Sequence, residues 1–448
     1  MQNAHFFLAC GIKNIMIYFG TDGIRGVACE DVNAEVAFRC GNAIAQLTPK
    51  AKIIVGKDTR VSGDFLFSSF ASGATMGGAD IVFVGVAPTP AISYLTKFAG
   101  ADYGVMITAS HNPAQFNGIK VFDNMGYKVS PQTQINIERL FARQKTVPAL
   151  EVGRIEYKSS LLKQYINFVK NSVQNLSGLK VAIDCANGAS STTAGKIFSG
   201  LGAKVIKINS TKNGKIINKN CGALYPQKVV QIVKKNKADI GFAFDGDADR
   251  IIMIDNNGKI CDGDQIILFL TNTLKKFGLL HSGAVVGTTQ TNMALEFELK
   301  KMGLQLLRTD VGDQYVASEL KNRHLQIGGE QSGHIIFADY QPTGDGVFCA
   351  VQICSLLKKL GGQISDYIFN DLLPQFSLDF VTSKKYDVIN SCKFKVAVSE
   401  CETMLAGTGR IVARASGTES KVRIMVECKS ESLAKQILDK LLLVAKSI

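Results

Sequence analysis

Short apolar runs of strand length, separated by segments with helical apolar spacing, constrain this chain more than any other feature. Lys52 to Val55, Ile81 to Val84 and Gly104 to Ile107 are such runs, and helical spacing covers Asp31 to Leu47 and Phe65 to Met76. A strand that is apolar on both faces needs helices above and below it, which is the signature of a mostly parallel sheet. The pattern restarts twice. Strands at Leu179 to Ile183, Lys204 to Ile208 and Ile240 to Phe244 alternate with helices at Ser190 to Gly200 and Val229 to Lys234. A third round has helices at Gln265 to Lys276 and Met293 to Lys301, with strands at Ala284 to Gly287 and Gln305 to Arg308. From about Leu373 the order changes: strands near Phe394 to Val398 and Val422 to Glu427, then a closing helix from Glu431 to Ala445. A chain of 448 residues exceeds what one hydrophobic core supports. The expectation is three similar α/β modules with mixed, mostly parallel sheets, over 1–153, 154–256 and 257–372, plus a C-terminal α+β domain over 373–448.

The net charge of +13 invites a nucleic-acid reading. The lysines are spread along the chain, however, and basic residues do not interleave with aromatic ones, so a basic solvated surface with no nucleic-acid partner is expected. No apolar run is long enough to span a bilayer, so no membrane partner is expected either. The eleven cysteines contain no C-x-x-C and lie mostly in apolar segments, which suits reduced thiols in a cytoplasmic protein. Residues 1–15 read as an extension or an upstream start, since the patterned sequence begins only at Tyr18.

Four polar loops interrupt this frame. The first follows the strand Gly104 to Ile107 and carries Ser110, His111 and Asn112, closed by Pro113, with Lys120 ten residues beyond the serine. A hydroxyl on a turn after a buried strand suits a nucleophile or phosphate carrier, although an ordinary surface turn looks similar. A Ser-His-Asp hydrolase is disfavoured, because adjacent residues seldom bring the imidazole onto the neighbouring hydroxyl and no G-x-S-x-G elbow is present. The second loop, DGDADR over 245–250, follows the strand Ile240 to Phe244. Alternate residues of an extended segment face one way, so Asp245, Asp247 and Asp249 can converge on a hard divalent cation such as Mg²⁺. An EF-hand is excluded, since Arg250 stands at its glycine position and Asn256 at its glutamate position.

The third loop, GGEQSGH over 328–334, brings Glu330, Ser332 and His334 onto a turn suited to sugar hydroxyls. The fourth, RASGTESKVR over 414–423, sets Ser416, Gly417 and Thr418 between Arg414 and Arg423, an arrangement suited to a phosphate dianion. Near the start, YFGTDGIRG over 18–26 forms a glycine-rich turn around Thr21, Asp22 and Arg25 that could hold a phosphate or be a plain hairpin. On these residues alone, an Mg²⁺-dependent phosphatase with Asp245 or Asp247 as nucleophile stays open.

The set FGTDGIRG, TASHNP with FNGIKVF, DGDADR, GGEQSGH and RASGTES resembles the α-D-phosphohexomutase superfamily from about Tyr18 to the C-terminus. The wording of FGTDGIRG, GGEQSGH and TGDGV (343–347) is most similar to the bacterial branch that acts on glucosamine phosphate, with phosphoglucomutases and phosphomannomutases as near alternatives. The resemblance implies domains arranged around a central cleft, the last closing over it. It implies a phosphorylated Ser110 that holds one Mg²⁺ together with Asp245, Asp247 and Asp249. Phosphoryl transfer to the sugar would pass through glucosamine 1,6-bisphosphate, which must turn over within the cleft. Arg414, Ser416, Gly417, Thr418 and Arg423 would anchor the idle phosphate, and Glu330 and Ser332 would read the sugar. Lys120, Arg25 and His334 would serve acid–base and charge-stabilising roles; His111 would support the serine turn, and Arg250 the acidic loop. The product would supply UDP-N-acetylglucosamine for cell-wall polymer. The implied partners are a small-molecule sugar phosphate and an activating kinase or bisphosphate donor, with the chain a monomer or homodimer. Two departures stand out: Ser420 where the family usually has Pro, and Gln314 where Arg is common.

Overall fold

Val105, Met106 and Ile107 are wholly buried in the strand Tyr103–Ile107, the middle member of a seven-stranded sheet. The computed structural model describes residues 19–20, 22–143, 146–369, 371–416 and 420–448. Lys52–Lys57, Asp80–Val86 and Ile155–Tyr157 extend this sheet on one side, each parallel to its neighbour. Phe116–Asp123, Gly23–Val27 and Phe19–Gly20 extend it on the other, all antiparallel. Because Ile155–Tyr157 belongs to this sheet, the first unit runs past the expected boundary at 153.

Helices Ala34–Leu47 and Gly63–Met76 cover the sheet and cross at two glycines. A Cβ on Gly41 would fall 2.1 Å from the Phe70 carbonyl oxygen, and one on Gly73 would fall 1.9 Å from that of Phe38. Any side chain there would force the helices apart.

The second unit has five strands ordered Ile260–Cys261, Ile251–Ile254, Ile240–Phe244, Lys180–Asp184 and Lys204–Ile208. The third has four, ordered Gln305–Thr309, Ala284–Thr288, Ile327–Gly329 and Ile335–Phe337. Both combine parallel pairs with an antiparallel edge, as a mixed sheet should. One continuous apolar cluster joins parts of all three units, from Ile54 and Met106 through Phe242 and Phe244 to Leu295 and Ile335.

The last unit is built differently from the expectation. Cys392–Leu405, read as containing a strand at Phe394 to Val398, is a helix. Phe394, Ala397, Cys401 and Leu405 are buried at steps of three and four residues while Val396 is 57% exposed, a helical period that a five-residue window mistakes for alternation. The sheet here is antiparallel, Gln375–Val381 against Lys421–Glu427 against Arg410–Ala415, backed by the helix Glu431–Lys446 and a core of its own. Among the described residues, no helix is long and apolar enough to cross a membrane, and the described cysteines are all free thiols.

Candidate active site

Ser110 follows the C-terminal end of Tyr103–Ile107 and is wholly buried, with a left-handed backbone at φ +52°. Such a conformation costs a non-glycine residue about 1–3 kcal/mol unless its surroundings fix it. Arg60 fixes it. This fully buried guanidinium pairs through Nε with Asp58 Oδ2 at 2.9 Å. Its terminal nitrogens donate to the carbonyls of Ser110 (3.0 Å), Asn112 (2.7 Å), Phe116 (2.8 Å) and Pro113. Asn218 Nδ2, from the second unit, donates to the Ser110 and Asn112 carbonyls at 2.8 and 3.0 Å. The sequence places Arg60 after a strand but carries no sign of this role, because its partners are backbone carbonyls fifty residues away.

A lysine at position 60 would keep the charge and lose the planar fork, leaving several buried carbonyls without donors. Arg60→Lys is therefore expected to destabilise the protein by about 3–5 kcal/mol and to lower turnover with it. Thermal melting alongside a sugar-phosphate assay checks this; a variant that melts and turns over like the parent would refute it.

The Ser110 Oγ donates to Asp245 Oδ2 at 2.7 Å, which joins the serine loop to the acidic loop after Ile240–Phe244. Ala248 at φ +60° turns that loop, so Asp245, Asp247 and Asp249 are all buried and offer ligand oxygens within 4.8 Å of one another. Lys120 Nζ donates to Asp247 Oδ2 at 2.9 Å and Asp249 Oδ2 at 2.8 Å, and lies 3.4 Å from Asp22 Oδ1. Thr89 Oγ1 donates to Asp247 Oδ2 at 2.5 Å, and the Arg250 N–H to Asp245 Oδ1 at 3.2 Å. The other oxygens, Asp247 Oδ1 and Asp249 Oδ1, are buried without a hydrogen-bond partner. Buried carboxylate oxygens are normally satisfied, so this pair beside Asp245 fits a hard divalent cation.

The charges are strongly coupled. Burial, with Asp249 and Asp247 alongside, pushes the Asp245 carboxyl well above the usual range. Burial acts the same way on Asp249, but Lys120 and His334 overcome it and hold that carboxyl at about 2. Burial opposes the Lys120 charge, yet Asp22, Asp247 and Asp249 keep its pKa well above the ordinary value. Burial, Arg250 and Arg25 push the His111 imidazole down to about 4, so it is neutral near pH 7. Contrary to the expectation for adjacent residues, His111 Nδ1 does reach the Ser110 Oγ, at 3.3 Å; the left-handed turn brings the ring round.

The third unit reaches the same place. His334 is buried with Nδ1 3.9 Å from Asp249 Oδ1 and Nε2 3.3 Å from Asp313 Oδ2, while the Gly344 N–H approaches Nε2 at 3.1 Å. Gly344 belongs to TGDGV, whose Asp345 caps the helix Gly346–Leu360 and takes the Tyr165 hydroxyl. Glu330 Oε1 accepts the Gly312 N–H at 3.0 Å, and burial raises its carboxyl. Ser332 is exposed. Arg25 is paired with Asp22, and Arg250 is largely buried, with Asp249, Asp245 and Glu330 overcoming that burial to hold its charge.

Arg414 and Arg423 stand opposite each other on the last unit's sheet. Burial and Arg423 lower the Arg414 pKa, while Asp310 of the third unit and Asp379 oppose them. Ser416 is buried, with its carbonyl accepting Lys385 Nζ at 2.5 Å. Thr21, Gly417, Thr418 and residues 1–15 lie outside the described residues. The acidic, serine and third-unit loops thus converge, whereas the arginine pair sits on the fourth unit facing the third.

Four family models match in chain order. Three are the phosphoglucomutase/phosphomannomutase alpha/beta/alpha domains I (residues 16–147), II (163–258) and III (262–375), and the fourth is the C-terminal domain (381–444). A phosphoglucosamine mutase of Clostridium botulinum (strain Eklund 17B / Type B) is 42% identical over 427 residues, 92% of this chain and 95% of that one. Another, from Pelotomaculum thermopropionicum, is 40% identical over 442 residues, 96% of this chain and 99% of its own. Among solved structures, a phosphoglucomutase/phosphomannomutase family protein from Burkholderia thailandensis has a TM-score of 0.81 at 22% identity, covering 97% of this chain and 98% of that one. The Aspergillus fumigatus N-acetylphosphoglucosamine mutase in complex with GlcNAc-6P and magnesium has a TM-score of 0.67 at 18% identity, covering 97% and 96%. At these identities the two structures share the fold.

Proposed function

The chain belongs to the phosphoglucomutase/phosphomannomutase family, the α-D-phosphohexomutases, and from that premise we propose that it interconverts glucosamine 6-phosphate and glucosamine 1-phosphate. The observation that carries the chemistry is Ser110 Oγ at 2.7 Å from Asp245, beside two buried carboxylate oxygens with no hydrogen-bond partner. The identity of 40–42% to phosphoglucosamine mutases over most of the chain supports the amino sugar.

In this reading Ser110 carries the phosphoryl group in the active enzyme. The bond from phosphorus to the serine oxygen breaks as one forms to the free hydroxyl of the sugar monophosphate, whose proton passes to a base. The products of this half-reaction are a free Ser110 hydroxyl and glucosamine 1,6-bisphosphate, and the second half-reaction returns the other phosphate to Ser110. Asp245, Asp247 and Asp249 would hold one Mg²⁺, which when bound supplies compensation for phosphoryl charge. Lys120, held charged by three carboxylates, stabilises the transferring group rather than removing a proton. His111, neutral and with Nδ1 3.3 Å from Ser110 Oγ, supports the serine turn. Glu330, Ser332 and His334 read the sugar, Arg25 and Arg250 balance charge, and Arg414, Ser416, Gly417, Thr418 and Arg423 anchor the idle phosphate. A cytoplasmic setting is part of this proposal, and the free thiols support it.

The test is kcat/KM for glucosamine 6-phosphate against glucose 6-phosphate, with Mg²⁺ and a trace of sugar bisphosphate. A preference for the amino sugar of about a hundredfold, roughly 2.7 kcal/mol, is expected. Equal or reversed preference would move the assignment to a hexose phosphomutase with the same chemistry.

A further inference from the structure

Lys128 is a cation only 10% exposed that none of the steps above uses. It follows a tight turn after Phe116–Asp123, where Asp123 Oδ1 accepts the Met125 and Tyr127 N–H groups at 2.9 and 3.0 Å. That turn belongs to the first unit and is stiff: a Cβ on Gly126 would lie 2.8 Å from the Ser93 carbonyl oxygen. From it Lys128 Nζ reaches Asp22 Oδ1 at 2.5 Å, in its own unit, and Asp313 Oδ1 at 2.6 Å, in the third. The preceding residue makes a second, independent link, since Lys321 Nζ lies 4.3 Å above the Tyr127 ring. Asp313 and Lys321 both sit on the helix Asp313–Arg323, so one rigid turn grips one helix by a charge pair and a cation–π contact.

The start of that helix is tied to the sugar-reading side chains. The Gly312 N–H holds Glu330, and Asp313 Oδ2 stands 3.3 Å from His334 Nε2. The reaction proposed above makes a particular demand on this contact. A bisphosphate must detach from Ser110, rotate and rebind without leaving, so the walls on either side of it must keep their spacing. We propose that Lys128 is a positioning residue that latches the first unit to the third and retains the bisphosphorylated intermediate while it reorients. This rests on the mutase reading. Without the latch, the transfer from Ser110 to the sugar still occurs, but the bisphosphate escapes more often, leaving an unphosphorylated serine that needs re-priming.

The experiment loads Ser110 with labelled phosphate, adds excess sugar monophosphate, and measures label released as bisphosphate against label carried through isomerisation. Lys128→Met is expected to raise the released share by about tenfold or more and to make steady-state turnover depend on added sugar bisphosphate. Lys128→Arg, which can span the same two carboxylates, is expected to recover most of the retention. Lys321→Ala, touching the contact away from Asp22 and Asp313, should shift the ratio the same way by less, and it decides the matter if Lys128→Met fails to fold. Slower turnover with an unchanged ratio in these variants overturns the latch while leaving the mutase intact. A wild-type enzyme that passes no label to any sugar overturns the mutase reading, and the latch with it.

Discussion

Ser110→Ala is expected to lower isomerisation by at least about a thousandfold, because the proposed mechanism carries the phosphoryl on this hydroxyl. The variant should fold, since the loop is held by Arg60 and Asn218 through the Ser110 carbonyl rather than its hydroxyl. It loses the Ser110 Oγ contacts to Asp245 at 2.7 Å and to His111 Nδ1 at 3.3 Å, neither of which holds the loop backbone. The same variant separates the mutase from its rival. A phosphatase using Asp245 or Asp247 as nucleophile would keep most of its activity without the serine, and phosphate release at the parent rate would sink the phosphoserine mechanism.

The second large effect is expected at Lys120. Its ammonium is 1% exposed and meets Asp247, Asp249 and Asp22 within 3.4 Å. Replacing it by methionine preserves much of the volume and leaves those carboxylates without their shared cation. Removing one partner from a buried charge cluster costs about 3–5 kcal/mol. Activity should fall by about a hundredfold or more, in line with the loss of a positioned charge in the transition state. Mg²⁺ should raise the melting temperature of Lys120→Met more than that of the parent, because the divalent ion now compensates charge that Lys120 compensated before. An unchanged melting curve without metal would show that the carboxylates do not depend on the lysine. The parent's own acid sensitivity follows from the same cluster. Asp249 titrates at about 2 in the folded state against 3.8 for the free group, so its stabilisation is complete above about pH 4. It disappears as the pH falls towards 2, and a melting series across that range at constant salt measures it.

Much of this was legible in the chain because the informative segments are local. The strand Ile240–Phe244 is buried at every position, and the three aspartates after it converge through a single turn. The helix Met293–Lys301 and the strand Lys204–Ile208 likewise have bounds that short-range apolar spacing suffices to define. What escaped was set by distance in sequence. Arg60 acts on carbonyls at 110–116, Asn218 acts across 108 residues, and Lys128 meets Asp313 across 185. No periodicity records such pairings. The helix Cys392–Leu405 was missed for the opposite reason: five residues are too few to tell a period of two from one of 3.6 when several are apolar.

The separate core of the last unit has a mechanical consequence. Among the described residues its junction with the third unit includes several hydrogen bonds: Arg410 donates to the Thr289 and Thr291 carbonyls, the Met293 N–H to Glu427, Gln375 to the Gln290 carbonyl, and Asn292 to the Leu373 carbonyl. Such bonds can break one at a time, whereas pulling apart an interdigitated apolar seam exposes it all at once. If the last unit swings, as the proposed closure over the cleft requires, the cost is set by these few polar bonds, of which those at Asn292 and Glu427 are buried. The other three units share one apolar mass and would supply the fixed bed for such a movement.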